Sequence, residues 1–186
     1  MSDAGPKRIG VSFEVRPHAY DPVTQPEYFD GVLPRRAIAF CIDVIVLALP
    51  VLFICMFIFM LGLVTFGLAW LLYWPLWYAL PPATVIWALV YYGLCFGSPA
   101  SATIGMRVMD LEMRTWYGAR AYFLLGAVHA IAYWISVSVL TPLILLVGFF
   151  NARRRLLHDF VVGTVVVNNE ARAQVLRGAY PKSRAL

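Results

Sequence analysis

The chain has 186 residues, of which 61% are hydrophobic and 13% charged, with a net charge of +5 and a mean hydropathy of +0.74. A soluble domain of this length cannot hide that much apolar surface, so lipid is expected to solvate part of it. Charge is also placed unevenly: Asp43 is the only Asp, Glu, Lys, Arg or His between Ala37 and Gly97, and His129 is the only one between Ala121 and Phe150. Both tracts exceed the roughly 18 to 20 apolar residues needed to cross a bilayer.

Residues 1–34 mix Lys7, Arg8 and Arg16 with Asp3, Glu14, Asp21, Glu27 and Asp30, and are rich in Pro and Tyr. They show neither a helical nor a strand period and read as an irregular polar cytoplasmic tail. They carry no apolar core, so no signal peptide is expected, and the first hydrophobic helix should itself be the targeting signal. Pro34 suits a helix start. A first span is predicted from Arg35 to Leu61, about 40 Å long at 1.5 Å per residue, with tilt or a kink at Pro50.

From Gly62 to Leu80 the chain is uncharged and dense in Trp, Tyr and Phe, with Pro75 inside and Pro81 and Pro82 at its end. Trp and Tyr prefer the headgroup level, so this stretch reads as a connection at the outer face. A second span follows from Thr84 to Gly97. Between residues 98 and 120, Ile104, Met106 and Val108, then Leu111 and Met113, alternate with polar or small residues, and the period slips near Met109 and Asp110. Two strand-like halves are predicted there. Thr164 to Val167 is a second β-branched run, and pairing it with the first on one side of the membrane would leave no lone strand.

Residues 121–150 are apolar but interrupted by Ser136, Ser138, Thr141 and Pro142. They form one long tilted span, or a short hairpin turning between Ser136 and Pro142. Cytoplasmic flanks attract Arg and Lys, and the basic clusters are Arg35 with Arg36, then Arg107, Arg114 and Arg120, then Arg153, Arg154 and Arg155. Keeping all three inside favours the hairpin; three spans with an external basic tail would break the rule. The expected fold is thus an all-α integral membrane bundle of about four transmembrane or membrane-embedded helices, with a short two-stranded cytoplasmic β pair. It comprises a tail (1–34), a membrane domain (35–168) and a basic tail (169–186), with both termini on the cytoplasmic side of an inner membrane.

Asp43 is the residue most in need of explanation, because a carboxylate at that depth costs about 2.5 to 3.5 kcal/mol on insertion scales. Arg36 lies on nearly the same face of the helix, but helical side chains lean toward the N-terminus, so an interhelical partner is expected for Asp43. Asp159 and His158 are neighbours and should point in different directions, and Arg155 can support Asp159 at i+4. His129, in an apolar tract, reads first as a hydrogen-bonded core residue. Cys41, Cys55 and Cys95 read as small core residues. Gly93 and Gly97 would allow close helix packing. With no phosphate-binding loop, HExxH or triad order, no cofactor, metal or enzymatic activity is expected. The positive charge points to anionic lipid headgroups at the cytoplasmic face and not to nucleic acid.

Three segments together resemble the RDD family of bacterial membrane proteins: Arg35 to Asp43 (RRAIAFCID), Ala102 to Glu112 (ATIGMRVMDLE) and Leu157 to Val167 (LHDFVVGTVVV). The resemblance spans residues 33–168 and maps the family's one Arg and two Asp onto Arg36, Asp43 and Asp159; Met106 departs from it, standing where members often carry Lys. It implies a membrane protein linked to transport of unidentified ligands, in some members to sodium/proton antiport. Arg36, Asp43 and Asp159 then become the expected substrate or ion site, with His129, His158 and Arg155 in support. Transport of a cation, proton or small ligand, by a homo-oligomer, is the first expectation. The second is a non-transporting scaffold or assembly factor for a larger membrane complex.

Overall fold

The structure, a computed structural model, describes residues 19–140 and 147–179. It is mostly helical, with one small sheet. Helix α1 runs over Val32–Val64 and contains Pro50. A short 3-10 turn at Leu68–Leu72 leads into α2, Tyr73–Phe96. Then come α3 (Ile104–Val108), strand β1 (Leu111–Thr115) and α4 (Phe123–Leu140). The chain ends with α5 (Leu157–Val162), β2 (Thr164–Asn168) and α6 (Glu170–Ala179).

Among the described residues, α1 and α2 are long and apolar enough to cross a membrane, and α4 is a shorter apolar helix. Only 6% of the most apolar window of α1 and 22% of that of α2 is buried inside the protein. A soluble protein would enclose its core helices, whereas here Phe53, Phe57, Leu63 and Trp77 point outward. Such a surface fits a membrane location.

The aromatic stretch does not stay outside the second span. Tyr73 to Leu80 belongs to α2, which continues through Pro75, Pro81 and Pro82 where an end was expected. Pro75 falls in the first turn, where an N–H has no intrahelical partner to lose. At Pro81, whose ring cannot donate, the Thr84 hydroxyl donates back to the Pro81 carbonyl at 2.8 Å. Pro81 and Pro82 leave the carbonyls of Trp77 and Tyr78 without their usual helical donors, a cost that membrane helices tolerate. Tyr73 donates to the Cys55 carbonyl (2.6 Å) and Trp70 to the Phe59 carbonyl (3.2 Å), folding the start of α2 back onto α1.

Likewise, α4 runs on unbroken past Ser136 and Ser138. Ser136 returns its hydroxyl to the Tyr133 carbonyl at 2.9 Å, so it is satisfied within its own helix and forces no turn. Thr141 and Pro142 lie outside the described residues. The first strand-like half is also helical: Thr103 accepts the Met106 N–H as an N-cap, and α3 results. The slip in period at Met109 and Asp110 marks the end of that helix, with Asp110 at φ +53°. Among the described residues the helices number more than four, because α3, α5 and α6 join the apolar α1, α2 and α4.

Antiparallel pairing of β1 with β2 is as the sequence suggests, with Met113 opposite Val166 and Glu112 opposite Val167. The sheet is covered on both faces. Val166, Leu111 and Met113 join the core of α1 and α2, while Val165 and Val167 pack on Tyr28, Phe29 and Ala173. Part of the stretch read as an irregular tail is therefore ordered: Pro26–Tyr28 forms a 3-10 turn, and Asn168 donates to the carbonyls of Glu27 (2.8 Å) and Asp30 (2.9 Å). On the far side, Tyr28 donates to Glu170 (2.5 Å) and Arg177 to Glu27 (2.9 Å), which docks α6. Along the bundle, Gly93 receives the ring of Phe123, so the glycine pair serves helix packing.

Directly opposed antiparallel residues have Cα atoms about 4.5 to 5.5 Å apart, within disulfide reach. In a protein whose three native cysteines are replaced by Ala, Met113→Cys with Val166→Cys should cross-link under mild oxidation. Met113→Cys with Val165→Cys should not, because successive strand side chains face opposite ways. Equal yields from both pairs would refute the register.

Candidate functional site: two buried carboxylates

Asp43 sits on α1, about 10 Å further along the axis than Arg36, and is 4% exposed. Three donors converge on its carboxylate: the Tyr91 hydroxyl at 2.6 Å, the Thr103 hydroxyl at 2.6 Å and the Gly105 N–H at 2.8 Å. Both hydroxyls are held in turn. The Ile104 N–H donates to the Tyr91 oxygen (3.2 Å) and the Met106 N–H to that of Thr103 (3.1 Å). One acid thus absorbs, directly or through one hydroxyl, three N–H groups that the start of α3 leaves unpaired. Gly105 is required for the approach, since a Cβ there would collide with the Ala39 carbonyl and touch the Asp43 carboxyl. None of the described ion pairs involves Asp43.

The second carboxylate, Asp159 in the first turn of α5, is fully buried. Arg36 grips it through both terminal nitrogens, NH1 to Oδ2 at 2.5 Å and NH2 to Oδ1 at 3.2 Å. Asp159 Oδ2 also accepts the Leu156 N–H (2.9 Å), so the acid caps its own helix as it pairs. Arg36 donates as well to His158 Nε2 at 3.3 Å, which makes that nitrogen an acceptor and the imidazole neutral. His129 stands behind, its Nε2 3.8 Å from Asp159 Oδ1 and its Nδ1 3.2 Å from the Thr164 hydroxyl. Burial raises the Asp159 carboxyl, but the Arg36 guanidinium and the two imidazoles together outweigh it and hold the group below the usual carboxylate range. Burial lowers the His158 imidazole to about 3, against the pull of Asp159 and reinforced by Arg36.

Two readings of this region change. His158 and Asp159 do not diverge: both reach the Arg36 guanidinium, because that fork spans more than one helical direction. Arg155 does not pair with the Asp159 carboxylate; it is 5% exposed and donates to main-chain oxygens of Thr164 (2.9 Å) and Asp159 (2.6 Å). Its guanidinium lies over the rings of Trp116 and Phe160 at 4.6 and 4.2 Å, where a planar cation is stabilised without water. His129 is a buried, hydrogen-bonded core residue. The cysteines are free, and Cys41 is exposed and not in the core.

His129, His158 and Asp159 offer ligand atoms within 4.8 Å of one another, a spacing a metal ion could bridge. Arg36 already supplies the cation there, with hydrogen bonds to both Asp159 and His158. The two carboxylate sites meet along a cavity of about 420 Å³ between α1, α2 and α4, whose wall includes Arg36, Asp43, Thr103, His129 and His158.

The RDD family model matches residues 31–163. The chain belongs to the RDD family. That is a family of membrane proteins, in keeping with the two long apolar helices. No curated protein and no solved structure gives a significant match. In this RDD protein, Arg36 and Asp159 are partners, and Asp43 serves a different loop.

Sequence reasoning missed Tyr91, Thr103, Gly105, Thr164 and Asn168, the groups that complete these networks. Thr103 and Gly105 carried a local signal, a small capping hydroxyl and a glycine directly before a helical turn. Tyr91 carried none, since one more Tyr in an aromatic helix is unremarkable.

Removing Arg36 while Asp159 stays ionised and buried should cost about 3 to 5 kcal/mol. Arg36→Ala should therefore lower unfolding stability in detergent sharply, and adding Asp159→Asn should recover part of the loss; additive losses would show that the pair is uncoupled. Acid should act in the same direction. Unfolded His158 titrates near 6.5 and the folded group near 3, so its contribution is complete above pH 6.5 and is lost as pH falls toward 3. The Asp159 contribution, depressed in the same sense, is lost only below its ordinary value of 3.8. The His158 share of this loss should appear between pH 6.5 and about 4.5 with a slope of up to about 1.4 kcal/mol per unit, and His158→Gln should remove that share.

Proposed function

We propose that this RDD protein is a multi-pass inner-membrane scaffold with both termini cytoplasmic, and that Arg36, Asp43 and Asp159 hold a cytoplasmic cap on its helix bundle. The orientation is supported by the basic residues. Arg35 pairs with Asp110 (3.3 Å) and Arg36 with Asp159 (2.5 Å), and β1 pairs with β2, gathering the three basic clusters at one end of the bundle. An end of that charge belongs on the cytoplasmic side and suits anionic headgroups.

The observation that carries the scaffold reading is what surrounds Asp43. A bound cation needs oxygen lone pairs turned toward it, whereas Tyr91, Thr103 and Gly105 turn hydrogens toward the carboxylate. A proton arriving there would displace one of those donors. The networks at Asp43 and Asp159 each tie one segment of the cap to α1, as expected of a framework on which other membrane subunits assemble. Transport is the second reading, favoured by the cavity beside Asp43 and Arg36.

One comparison separates them. Native protein and Asp43→Asn are reconstituted in proteoliposomes, Na⁺ and H⁺ fluxes are recorded, and thermal stability is measured in detergent. The scaffold reading expects no ion-coupled flux from either and a loss of about 1 to 3 kcal/mol in Asp43→Asn, because an amide hydrogen now faces a donor. Native flux abolished by Asp43→Asn at unchanged stability would establish transport instead.

A further inference from the structure

We propose that the cavity between α1, α2 and α4 is a binding site for an uncharged, mostly apolar molecule with one oxygen-bearing polar end, such as a long-chain alcohol or ester. This goes beyond the scaffold reading and stands or falls apart from it.

Size comes first. At about 420 Å³ the space lies within the range of pockets that enclose small organic ligands, roughly 300 to 1,000 Å³. Its walls are largely apolar, with Phe40, Tyr92, Phe96 and Tyr133 providing flat surfaces for a hydrocarbon body. A polar end is also present. Arg36 uses three hydrogen bonds on Asp159 and His158, and a guanidinium carries five N–H donors. Donors remain for an ester or hydroxyl oxygen.

Charge decides the class. The Arg36 cation is already balanced by Asp159, so an anionic head would find no uncompensated partner and would meet Asp43 on the same wall. A cationic head would be drawn to Asp43, but the hydroxyl and amide hydrogens of Thr103, Tyr91 and Gly105 stand around that carboxylate. An uncharged head pays neither penalty and can accept from Arg36.

Cys41 provides the reporter, because it is exposed and lines the same cavity. In protein carrying Cys55→Ala and Cys95→Ala, in lipid nanodiscs, the rate of Cys41 alkylation by N-ethylmaleimide is measured with decanol, decanoate or decyltrimethylammonium. Decanol should slow alkylation several-fold, and the two charged amphiphiles should have little effect. Ala130→Phe, which places a ring in the cavity from a buried wall position, should slow alkylation by itself and abolish the decanol effect; Val137→Phe provides the same test from another wall residue. Protection by decanoate or decyltrimethylammonium equal to or above that of decanol would overturn the uncharged class while leaving a binding cavity. No protection by any of the three would overturn the site itself. Neither result depends on the ion fluxes that test the scaffold reading.

Discussion

A carboxylate taken out of water must be met by donors or by a cation, and among the described residues Asp43 and Asp159 are two such groups on or against a single helix. Each is met differently. Asp159 takes the Arg36 guanidinium, and Asp43 takes two hydroxyls and a backbone N–H. The cost of leaving either one unpaired is several kcal/mol, comparable with much of a domain's net stability. The rest of that end of the bundle is arranged so that these partners arrive.

The consequence is a division of labour along α1. Arg36 reaches the C-terminal half through α5, while Asp43 reaches the segment after α2 through α3. Beside Arg36, Arg35 contacts Asn168 and Asp110, which lie at the end of β2 and just before β1, at the same end of the sheet. The first turns of α1 therefore bind β1, β2, α3 and α5 into one cap, although these segments are far apart in sequence. The apolar stretches of α1 and α2 beyond the cap carry no charge that needs a partner, and helices satisfy their own backbones.

Much of this was legible beforehand in Asp43, Arg36 and Asp159, because ionisable residues beside or inside apolar tracts stand out against their surroundings. The strand at Thr164–Val167 and its pairing with Leu111–Met113 were legible from β-branching and alternation. The reading failed where tertiary contacts overrode a local rule. Pro81 and Pro82 looked like a helix end, and Ile104 to Val108 looked like a strand. At Thr103 the cause is visible: its hydroxyl accepts the Met106 N–H that a helix start leaves open, so α3 forms where alternation suggested a strand.

What the amino-acid order determined by itself was the solvent and the charges: long uncharged tracts demand lipid, and three charged residues near or within them demand partners. Which partner each one takes was decided only in three dimensions. Arg36 lies at similar spacing from Asp43 as helix geometry would place many pairs, yet it turns to Asp159, more than a hundred residues away. The reason is directional: side chains on a helix lean toward its N-terminus, so Arg36 faces α5 at the cap while Asp43 is left to the hydroxyls of α2 and α3.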